Sequence, residues 1–396
     1  MKILMITPYL PYPLVSGGQI RTYNLLKNLS TKHEITLASF IRDKSEEKHV
    51  KELIPYCRKV ITLKRRKAWS PANIILSIIT PYPFLVSIYF DPFVKSKIKE
   101  ELAKEKYDLI HAETFYVMPN IPQTKIPIFL VEQVIEYLVY QRFVESLPKW
   151  AIFIKPFLYF DVVKIKWWEK YYWRKAKRLA AMSKDDKKFI QSLNPSLVVD
   201  VVANGVDLDF FARTKKQKIQ KPTVLFVGNF KWLPNRDAAI YLATNIWPHI
   251  KSRVDNAVLW IVGRNPTSDI LKLRSKDIIV DSTVDDIRDA YAKSSVLLAP
   301  IRNGRGTKYK ILEAMATKTP IVGTHLAIEG IDIINGEHAY VAQSAESLAQ
   351  KAIVVLKNPK VGSKLSEAAY HLVAKSYSWQ KISNTLDKVY REVGKG

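Results

Sequence analysis

Short runs of hydrophobic residues alternate along the first half of the chain with stretches of helical periodicity. Buried parallel strands are nearly continuous apolar runs, whereas surface helices repeat their apolar residues every three or four positions. Helical periodicity is clearest in 20–29 and 94–106. The runs that predict strands are Lys2–Thr7, Glu34–Phe40, Lys59–Leu63, Leu109–Ala112, Ile126–Val131 and Leu179–Met182, the last strand expected in this half. This alternation predicts a parallel, doubly wound sheet.

The same pattern starts again after residue 203. A helix is predicted over 237–246, and a final amphipathic helix over 378–393. The length of 396 residues suits two domains. We therefore predict an α/β chain with domains 1–203 and 204–377 and a last segment 378–396. The runs that predict strands in this half are Val224–Val227, Ala257–Val262, Ile278–Val280, Val296–Ala299 and Ile321–Gly323.

A glycine turn followed by a helix stands out between the last two of these runs. Gly304 and Gly306 allow a tight turn, and residues 308–316 are good helix formers. Unpaired amides at a helix N-terminus favour an anion, and Glu313, farther along the helix, is placed to bind a sugar hydroxyl. The alternative is an ordinary crossover in which Glu313 is a solvated helix acid.

A second glycine pair, Gly17 and Gly18, follows the first predicted strand. With Ser16 it predicts a flexible loop before the helix over 20–29. Ligands of open parallel sheets bind beyond the carboxyl ends of the strands, so this loop is a candidate phosphate contact. The alternative is a plain turn.

Composition and motifs exclude several classes of protein. A single cysteine, Cys57, allows no internal disulfide and fits a reducing cytoplasm. No Walker motif, G-x-S-x-G motif or zinc spacing is present. Asp207 and Asp209 spell D-x-D in a turn segment, where such residues usually cap a helix or face solvent.

The chain is strongly basic, with a net charge of +25 and a pI of about 9.7. This balance implies an anionic partner, and because no RNA- or DNA-binding signature is present we expect no nucleic acid. Residues 142–178 combine ten basic residues with many aromatic ones. Such a mixture suits an anionic membrane surface, or alternatively a helical pair with buried aromatics and solvated lysines.

An uncharged stretch lies between Lys67 and Asp91. It is long enough to span a bilayer, but Pro71, Pro81 and Pro83 interrupt it. We predict a helix or loop pair packed on the first domain. The N-terminal residues MKILMIT are too short for the apolar region of a signal peptide and predict a buried strand.

The segment GTKYKILEAMATKTPIVGT at 306–324 closely resembles the nucleotide-binding segment of family 4 glycosyltransferases with the GT-B fold. Weaker likenesses follow in the family's order and cover nearly the whole chain: ITPYLPYPLVSGGQIR at 6–21, DLIHAE at 108–113, ANGVDLDFF at 203–211, VLFVGNF at 224–230 and SWQKI at 378–382. The resemblance implies two Rossmann-like, doubly wound parallel-sheet domains facing a cleft, with the last helix crossing back to the first domain.

The resemblance also assigns donor-binding residues. Glu313 matches the second glutamate of the family's E-x7-E motif and would hold the donor ribose, whereas the first glutamate is replaced by Arg305. The positions of the family's diphosphate-binding arginine and lysine fall on Asn229 and near Asn235. The glycine loop at 17–18 would face the donor phosphates. The remaining donor-site candidates are Lys231, Arg236, Arg264, Arg302, Gly304, Gly306, Thr307 and Lys308.

Two residues at the end of the fourth predicted strand are the catalytic candidates. Relatives often have H-x-H there, and this chain has His111 and Glu113. A carboxylate at this position can bind a sugar hydroxyl, act as a base or stabilise positive charge at the anomeric carbon. The alternative is a structural role for both.

These features together predict a retaining glycosyltransferase that moves a sugar from a nucleoside diphosphate sugar to a glycan or lipid-linked acceptor in cell-surface polysaccharide synthesis. The resemblance implies no metal and no other cofactor. We expect a cytoplasmic protein, with the inner membrane face as a further candidate partner. Two alternatives stay open: an isomerase related to sugar-nucleotide 2-epimerases, and a non-catalytic membrane-surface scaffold.

Overall fold

The computed structural model describes residues 1–214, 220–304 and 306–394, apart from the side chains of Lys149 and Trp150. The chain forms two compact units. The first contains Met1–Ala203 and the segment from Ile382 onward, and the second is Asn204–Lys381.

The first unit is built on a parallel sheet in the order β3-β2-β1-β4-β5-β6-β7, counted over the described residues. This confirms the predicted doubly wound sheet. The expectation that Leu179–Met182 forms the last strand was wrong, because a further short strand pairs beside it. The strands are β1 (Lys2–Thr7), β2 (Glu34–Ile41), β3 (Lys59–Lys64), β4 (Leu109–Glu113), β5 (Ile128–Glu132), β6 (Arg178–Ala181) and β7 (Val199–Val201).

Four helices of this unit, those that begin at Gly17, Pro71, Pro92 and Lys184, start at a side chain that accepts a hydrogen bond from an amide of the first turn. The hydroxyl of Ser16 accepts a hydrogen bond from the Gln19 amide, and that of Ser183 from the Asp186 amide. The helices are α1 (Gly17–Leu29), α2 (Pro71–Ile79), α3 (Phe84–Tyr89), α4 (Pro92–Lys104), α5 (Glu136–Ser146), α6 (Lys155–Lys175) and α7 (Lys184–Leu193), with 3-10 turns at Lys44–Glu52, Ile54–Tyr56, Phe115–Asn120 and Lys149–Phe153.

The second unit repeats the plan on a parallel sheet in the order β10-β9-β8-β11-β12-β13, again over the described residues. The sequence did not predict its last, two-residue strand. The strands are β8 (Thr223–Val227), β9 (Val258–Val262), β10 (Ile278–Asp281), β11 (Val296–Ala299), β12 (Ile321–Gly323) and β13 (Tyr340–Val341).

The helix predicted over 237–246 begins earlier than expected, because Pro234 fits the first turn of a helix. A π-helical turn, Leu242–Ile246, continues it into the next helix. The helices are α8 (Leu208–Ala212), α9 (Leu233–Tyr241), α10 (Trp247–Lys251), α11 (Ser268–Leu271), α12 (Ile287–Ala292), α13 (Tyr309–Ala316), α14 (Ala345–Lys357), α15 (Pro359–Ser376) and α16 (Trp379–Gly394).

Each sheet reverses its strand order once, and this locates the ligand sites. The reversal lies between β1 and β4 in the first unit and between β8 and β11 in the second. In open α/β sheets, ligands bind beyond the carboxyl ends of the strands at such a switch point. In the first unit the strand ends lead to Glu113 and the 16–18 segment. In the second unit they lead to Asn229 and to the segments 302–304 and 306–308.

Within the part of the chain that the structure describes, no helix is both long and apolar enough to cross a bilayer. The uncharged stretch after Lys67 forms two helices, α2 and α3, and a helix pair was one of the two forms predicted for it. Only α3 packs as expected, with Leu85, Val86 and Ile88 buried, whereas most of α2 is exposed.

Candidate functional site

The second unit's switch point contains Glu313, which lies half-buried on α13. Its Oε2 accepts a hydrogen bond of 2.8 Å from the hydroxyl of Tyr291. Burial raises the pKa of Glu313 above its usual range. A carboxylate held in this way is a suitable acceptor for a ligand hydroxyl.

Lys310 lies one helical turn before Glu313 and was not among the predicted residues. Its Nζ donates a hydrogen bond of 2.9 Å to Oδ1 of Asn235 and lies 4.3 Å from the centre of the Phe226 ring. Burial and the neighbouring charge of Lys308 lower the pKa of Lys310 to about 7. The i, i+3 spacing from Glu313 puts both side chains on one helix face and is the sequence signal that could have identified it.

Asn229 and Asn235, which lie at and near the positions where the resemblance places an arginine and a lysine, support this arrangement. The side-chain amide of Asn235 donates to the backbone oxygen of Asn229 at 3.0 Å. Oδ1 of Asn229 accepts from the Lys231 amide and from the side chain of Asn265, both at 3.1 Å. These bonds order the loop after β8, so the predicted residue Asn229 has a structural role in addition to any contact with a donor.

The predicted cations do not converge on one point. Arg302 forms two hydrogen bonds to the carboxylate of Asp237, at 3.1 and 2.5 Å, and lies over the Tyr241 ring. Arg236 donates to Asp269 at 2.8 Å. The side chains of Lys231 and Arg264 are exposed. Lys310, rather than any of these, therefore takes the place beside Asn235.

The glycine turn before α13 has the predicted backbone. Gly304 and Gly306 adopt φ of 100° and 79°, which side-chain-bearing residues rarely adopt. The Gly306 amide donates to Oε2 of Glu329 at 3.1 Å, and Nζ of Lys308 lies 3.8 Å from the same atom. The Gly306 amide, which was expected to bind a phosphate, thus binds the carboxylate of Glu329 in this structure. No sequence pattern marked Glu329.

A further predicted residue, Thr307, follows Gly306. The Thr307 hydroxyl is buried, and within 1–214, 220–304 and 306–394 it has no hydrogen-bond partner. A buried hydroxyl of this kind is costly unless a ligand or water satisfies it, which favours the predicted role of Thr307 in binding. Arg305, at the family's first glutamate position, lies outside the described residues.

The first unit's switch point contains His111 and Glu113, at the end of β4. Both side chains are fully buried. Nε2 of His111 lies 2.6 Å from Oε2 of Glu113, and Nδ1 of His111 contacts the Tyr390 hydroxyl. The amide of Gln133 donates to Oε1 of Glu113 at 2.7 Å, and Nε of Arg21 lies 3.5 Å from this oxygen.

The electrostatics of this group keep Glu113 ionised. Burial alone would raise the pKa of Glu113, but the hydrogen bond and charge of His111, together with Arg21 and Gln133, outweigh it and hold the pKa below its usual range. Both carboxylate oxygens therefore bind protein groups. The catalytic role expected of Glu113 stays a prediction.

Residues 16–18 do not form the flexible loop that the sequence predicted. Gly17 and Gly18 form the first turn of α1 and Ser16 caps it, so the segment is helix rather than flexible loop. A Cβ at Gly18 would lie 2.1 Å from the Tyr9 hydroxyl and 2.9 Å from Oε1 of Gln133. Gly18 is thus required for close packing at the switch point, and its contact with phosphates stays a prediction.

The D-x-D sequence has the expected capping role. Oδ1 of Asp207 accepts from the Phe210 amide at 3.0 Å, and Asp209 lies in the first turn of α8. No group of three His, Cys, Asp or Glu side chains that could hold a metal ion occurs among the residues described.

Two family models match most of this chain. A model described as "Glycosyltransferase Family 4" matches residues 15–210, and one described as "Glycosyl transferases group 1" matches residues 221–358. The chain is 23% identical to an "Uncharacterized 44.6 kDa protein in cps region" of Klebsiella pneumoniae, over 98% of this chain and 99% of that one. It is 25% identical to a phosphatidyl-myo-inositol mannosyltransferase of Mycobacterium leprae, over 79% and 82% of the two chains.

Solved structures show the same fold. Sucrose-phosphate synthase from Thermosynechococcus elongatus superimposes with a TM-score of 0.71 at 16% identity, over 99% of both chains. Anabaena HepE in complex with UDP-glucose does so with a TM-score of 0.65 at 13% identity, over 99% of this chain and 100% of that one. Two Rossmann-like sheets, the family matches and these neighbours agree: the chain is a glycosyltransferase with the GT-B fold, of the family 4 type.

Proposed function

We propose that this enzyme is a retaining glycosyltransferase that moves a sugar from a nucleoside diphosphate sugar to a glycan or lipid-linked acceptor, in the synthesis of a cell-surface polysaccharide. One observation carries the donor assignment. Glu313 and Lys310 lie one turn apart on α13, behind a turn with two positive-φ glycines at the switch point of the sheet.

The two side chains match the two polar parts of such a donor. Glu313, already oriented by Tyr291, accepts hydrogen bonds from the ribose hydroxyls. Lys310, whose pKa of about 7 reflects burial, gains a diphosphate as counter-ion, and this stabilises its charged form. The HepE structure contains UDP-glucose, which makes UDP sugars the first donors to test.

In the transfer step, the bond between the anomeric carbon and the diphosphate oxygen breaks. The acceptor oxygen bonds to the same face of that carbon, and its proton leaves with the diphosphate. Negative charge on the leaving diphosphate grows as the bond breaks, so a cation fixed nearby lowers the barrier. We assign this role to Lys310. Lys308, two residues earlier in the chain, is the second candidate cation.

We assign a positioning role to Glu113. Its oxygens bind His111, Gln133 and Arg21, so the carboxylate fixes the orientation of the imidazole and the amide at the end of β4. Both ring nitrogens of His111 also bind protein groups, Glu113 and Tyr390, so we assign His111 to the same positioning network.

The acceptor class is proposed from the relatives. One is named for its place in a cps region, and the other for a phosphatidylinositol acceptor. These names favour a surface glycan or a lipid-linked acceptor. We propose a cytoplasmic location for the reaction, in agreement with a chain that contains a single cysteine.

The test begins with thermal shifts for a panel of nucleoside diphosphates and their sugars, because a ligand that binds the folded state stabilises it. The donor identified is then incubated with glycan and lipid-linked acceptors in the presence of EDTA, and the anomeric configuration of the product is determined by NMR. We expect acceptor-dependent transfer with retention. An inverted product would contradict the proposed stereochemistry, and turnover without acceptor would favour an isomerase.

A further inference from the structure

Two helices of the first unit expose an unusual number of large apolar side chains. In α2, Ile75, Ile78 and Ile79 are 55%, 69% and 72% exposed, although the helix contains no charged residue. Isolated apolar residues are normal on a protein surface, whereas a contiguous group of this size marks a contact with another phase or molecule.

The second helix, α6, has an exposed row opposite its buried one. Its core side is formed by Val162, Ile165, Glu169 and Trp173, which are buried at spacings of three and four residues. On the other side, exposed aromatic residues repeat at similar spacings. These are Phe153 in the preceding 3-10 turn, then Phe157, Phe160, Trp167 and Tyr171. The sequence also allowed the alternative of a helical pair with buried aromatic residues. This alternative fails for these residues, because their side chains are exposed.

Side-chain hydrogen bonds join the two helices. Nζ of Lys164 donates to the backbone oxygens of Ser77 and Thr80 at 2.5 and 2.9 Å, and Nε1 of Trp168 donates to the oxygen of Pro81 at 2.9 Å. The exposed rows of α2 and α6 thus belong to one surface, which we call the apolar face and define as residues 71–79 and 152–171.

Charge decides which occupant this face suits. Within 152–171, four lysines (Lys155, Lys164, Lys166 and Lys170) outnumber two acidic residues, of which Glu169 is buried and Asp161 accepts a hydrogen bond from the Phe84 amide. The flanking parts of 142–178 add six basic residues and one acidic residue. The whole chain carries +25. Two copies would repel each other through this face, whereas anionic headgroups attract it.

We propose that the apolar face docks the enzyme on an anionic lipid bilayer. The helices lie in the plane of the interface, with isoleucine and phenylalanine side chains at the acyl boundary, tryptophan and tyrosine at the headgroups, and lysines against the lipid phosphates. This adds a partner to the proposed function without depending on the transfer reaction. Docking on the bilayer would also bring the enzyme to the same membrane surface as lipid-linked acceptors.

The experiment measures co-sedimentation of the full chain with vesicles of phosphatidylcholine, with and without 30% phosphatidylglycerol, at about 50 and 500 mM salt. We expect binding to anionic vesicles that falls with salt, because the surface potential is screened. The double variant Ile78→Ser/Phe157→Ser should weaken this binding at least tenfold. Ile54→Ser is the matched control, because Ile54 is 62% exposed on the same unit but lies outside the face.

Melting temperatures of all variants establish that each one is folded. Absence of binding to anionic vesicles, or equal binding to neutral ones, would overturn the proposal. So would an equal loss of binding in Ile54→Ser. Sedimentation velocity tests the second occupant: a dimer of the parent protein that dissociates in the double variant would assign the face to another copy of this chain.

Discussion

Nζ of Lys310 donates a hydrogen bond of 2.9 Å to Oδ1 of Asn235, the residue near the position where relatives have a diphosphate-binding lysine. A cation from α13 therefore lies beside Asn235, whereas the side chain of Lys231, in the loop after β8, is exposed. Lys310 and Asn235 are 75 positions apart in the chain. This relationship leads to the first prediction.

Lys310→Met should weaken binding of nucleoside diphosphates more than tenfold and leave binding of the corresponding nucleoside nearly unchanged, because only the diphosphate contact is lost. Lys310→Arg keeps the charge and should retain most of the affinity. Isothermal titration of both ligands to the three proteins measures this. Equal losses for nucleoside and diphosphate would show that Lys310 does not bind the phosphates.

The pH dependence of diphosphate binding should also report on Lys310. Without a ligand, burial lowers the pKa of Lys310 to about 7, and a bound anion raises it. The contribution of Lys310 to affinity should therefore fall as the pH rises from 7 to the pKa of the bound state. Lys310→Arg stays charged throughout, so its affinity should be flat between pH 7.5 and 9. Parallel profiles for parent and arginine variant would contradict the assignment.

Glu313→Ala should weaken donor binding by about 1–3 kcal/mol, because the ribose hydroxyls lose their acceptor in a partly buried site. The loss should be smaller when the ligand is the 2′-deoxy nucleotide, which already lacks one hydroxyl. Tyr291→Phe is a control that removes the 2.8 Å bond to Glu313 but keeps the carboxylate. Identical losses for both nucleotides would exclude a contact with the 2′-hydroxyl.

Glu113→Gln separates a positioning role from a purely structural one. The variant keeps the shape but removes the charge that Arg21 and His111 stabilise. A positioning role predicts a large drop in kcat with little change in donor affinity. A structural role predicts a lower Tm with normal turnover in the folded fraction. Transfer at the parent rate would remove Glu113 from the mechanism and leave His111 to be tested.

Gly18→Ala should destabilise the first unit by about 1–3 kcal/mol through overpacking, because the added Cβ would lie 2.1 Å from the Tyr9 hydroxyl. Tyr9→Phe in the same chain removes that oxygen and should recover part of the loss. Chemical denaturation of the single and double variants gives the comparison. If the single variant is as stable as the parent, Tyr9 can move and Gly18 is not needed for packing.

The order of strands and helices was largely determined by the local sequence. Apolar runs such as Val296–Ala299 and Ile321–Gly323 became paired strands, because residues buried on both faces of a parallel sheet must be hydrophobic throughout. Caps such as Ser183 fixed helix starts for a similarly local reason. The i, i+3 spacing also puts Glu313 and Lys310 on one side of α13, although Lys310 was not among the predicted residues.

Contacts between distant segments decided what each functional side chain does. Arg302 binds Asp237, 65 residues away, and is thereby distinguished from Lys310, although both are basic residues near the same turn. Gly18 meets Tyr9 and Gln133, and α2 meets α6 across 87 residues through Lys164. A residue's sequence neighbours determine its backbone and its face on an element. Its hydrogen-bond partners, its burial and therefore its pKa depend on which other elements pack against that face, and only the folded chain brings those together.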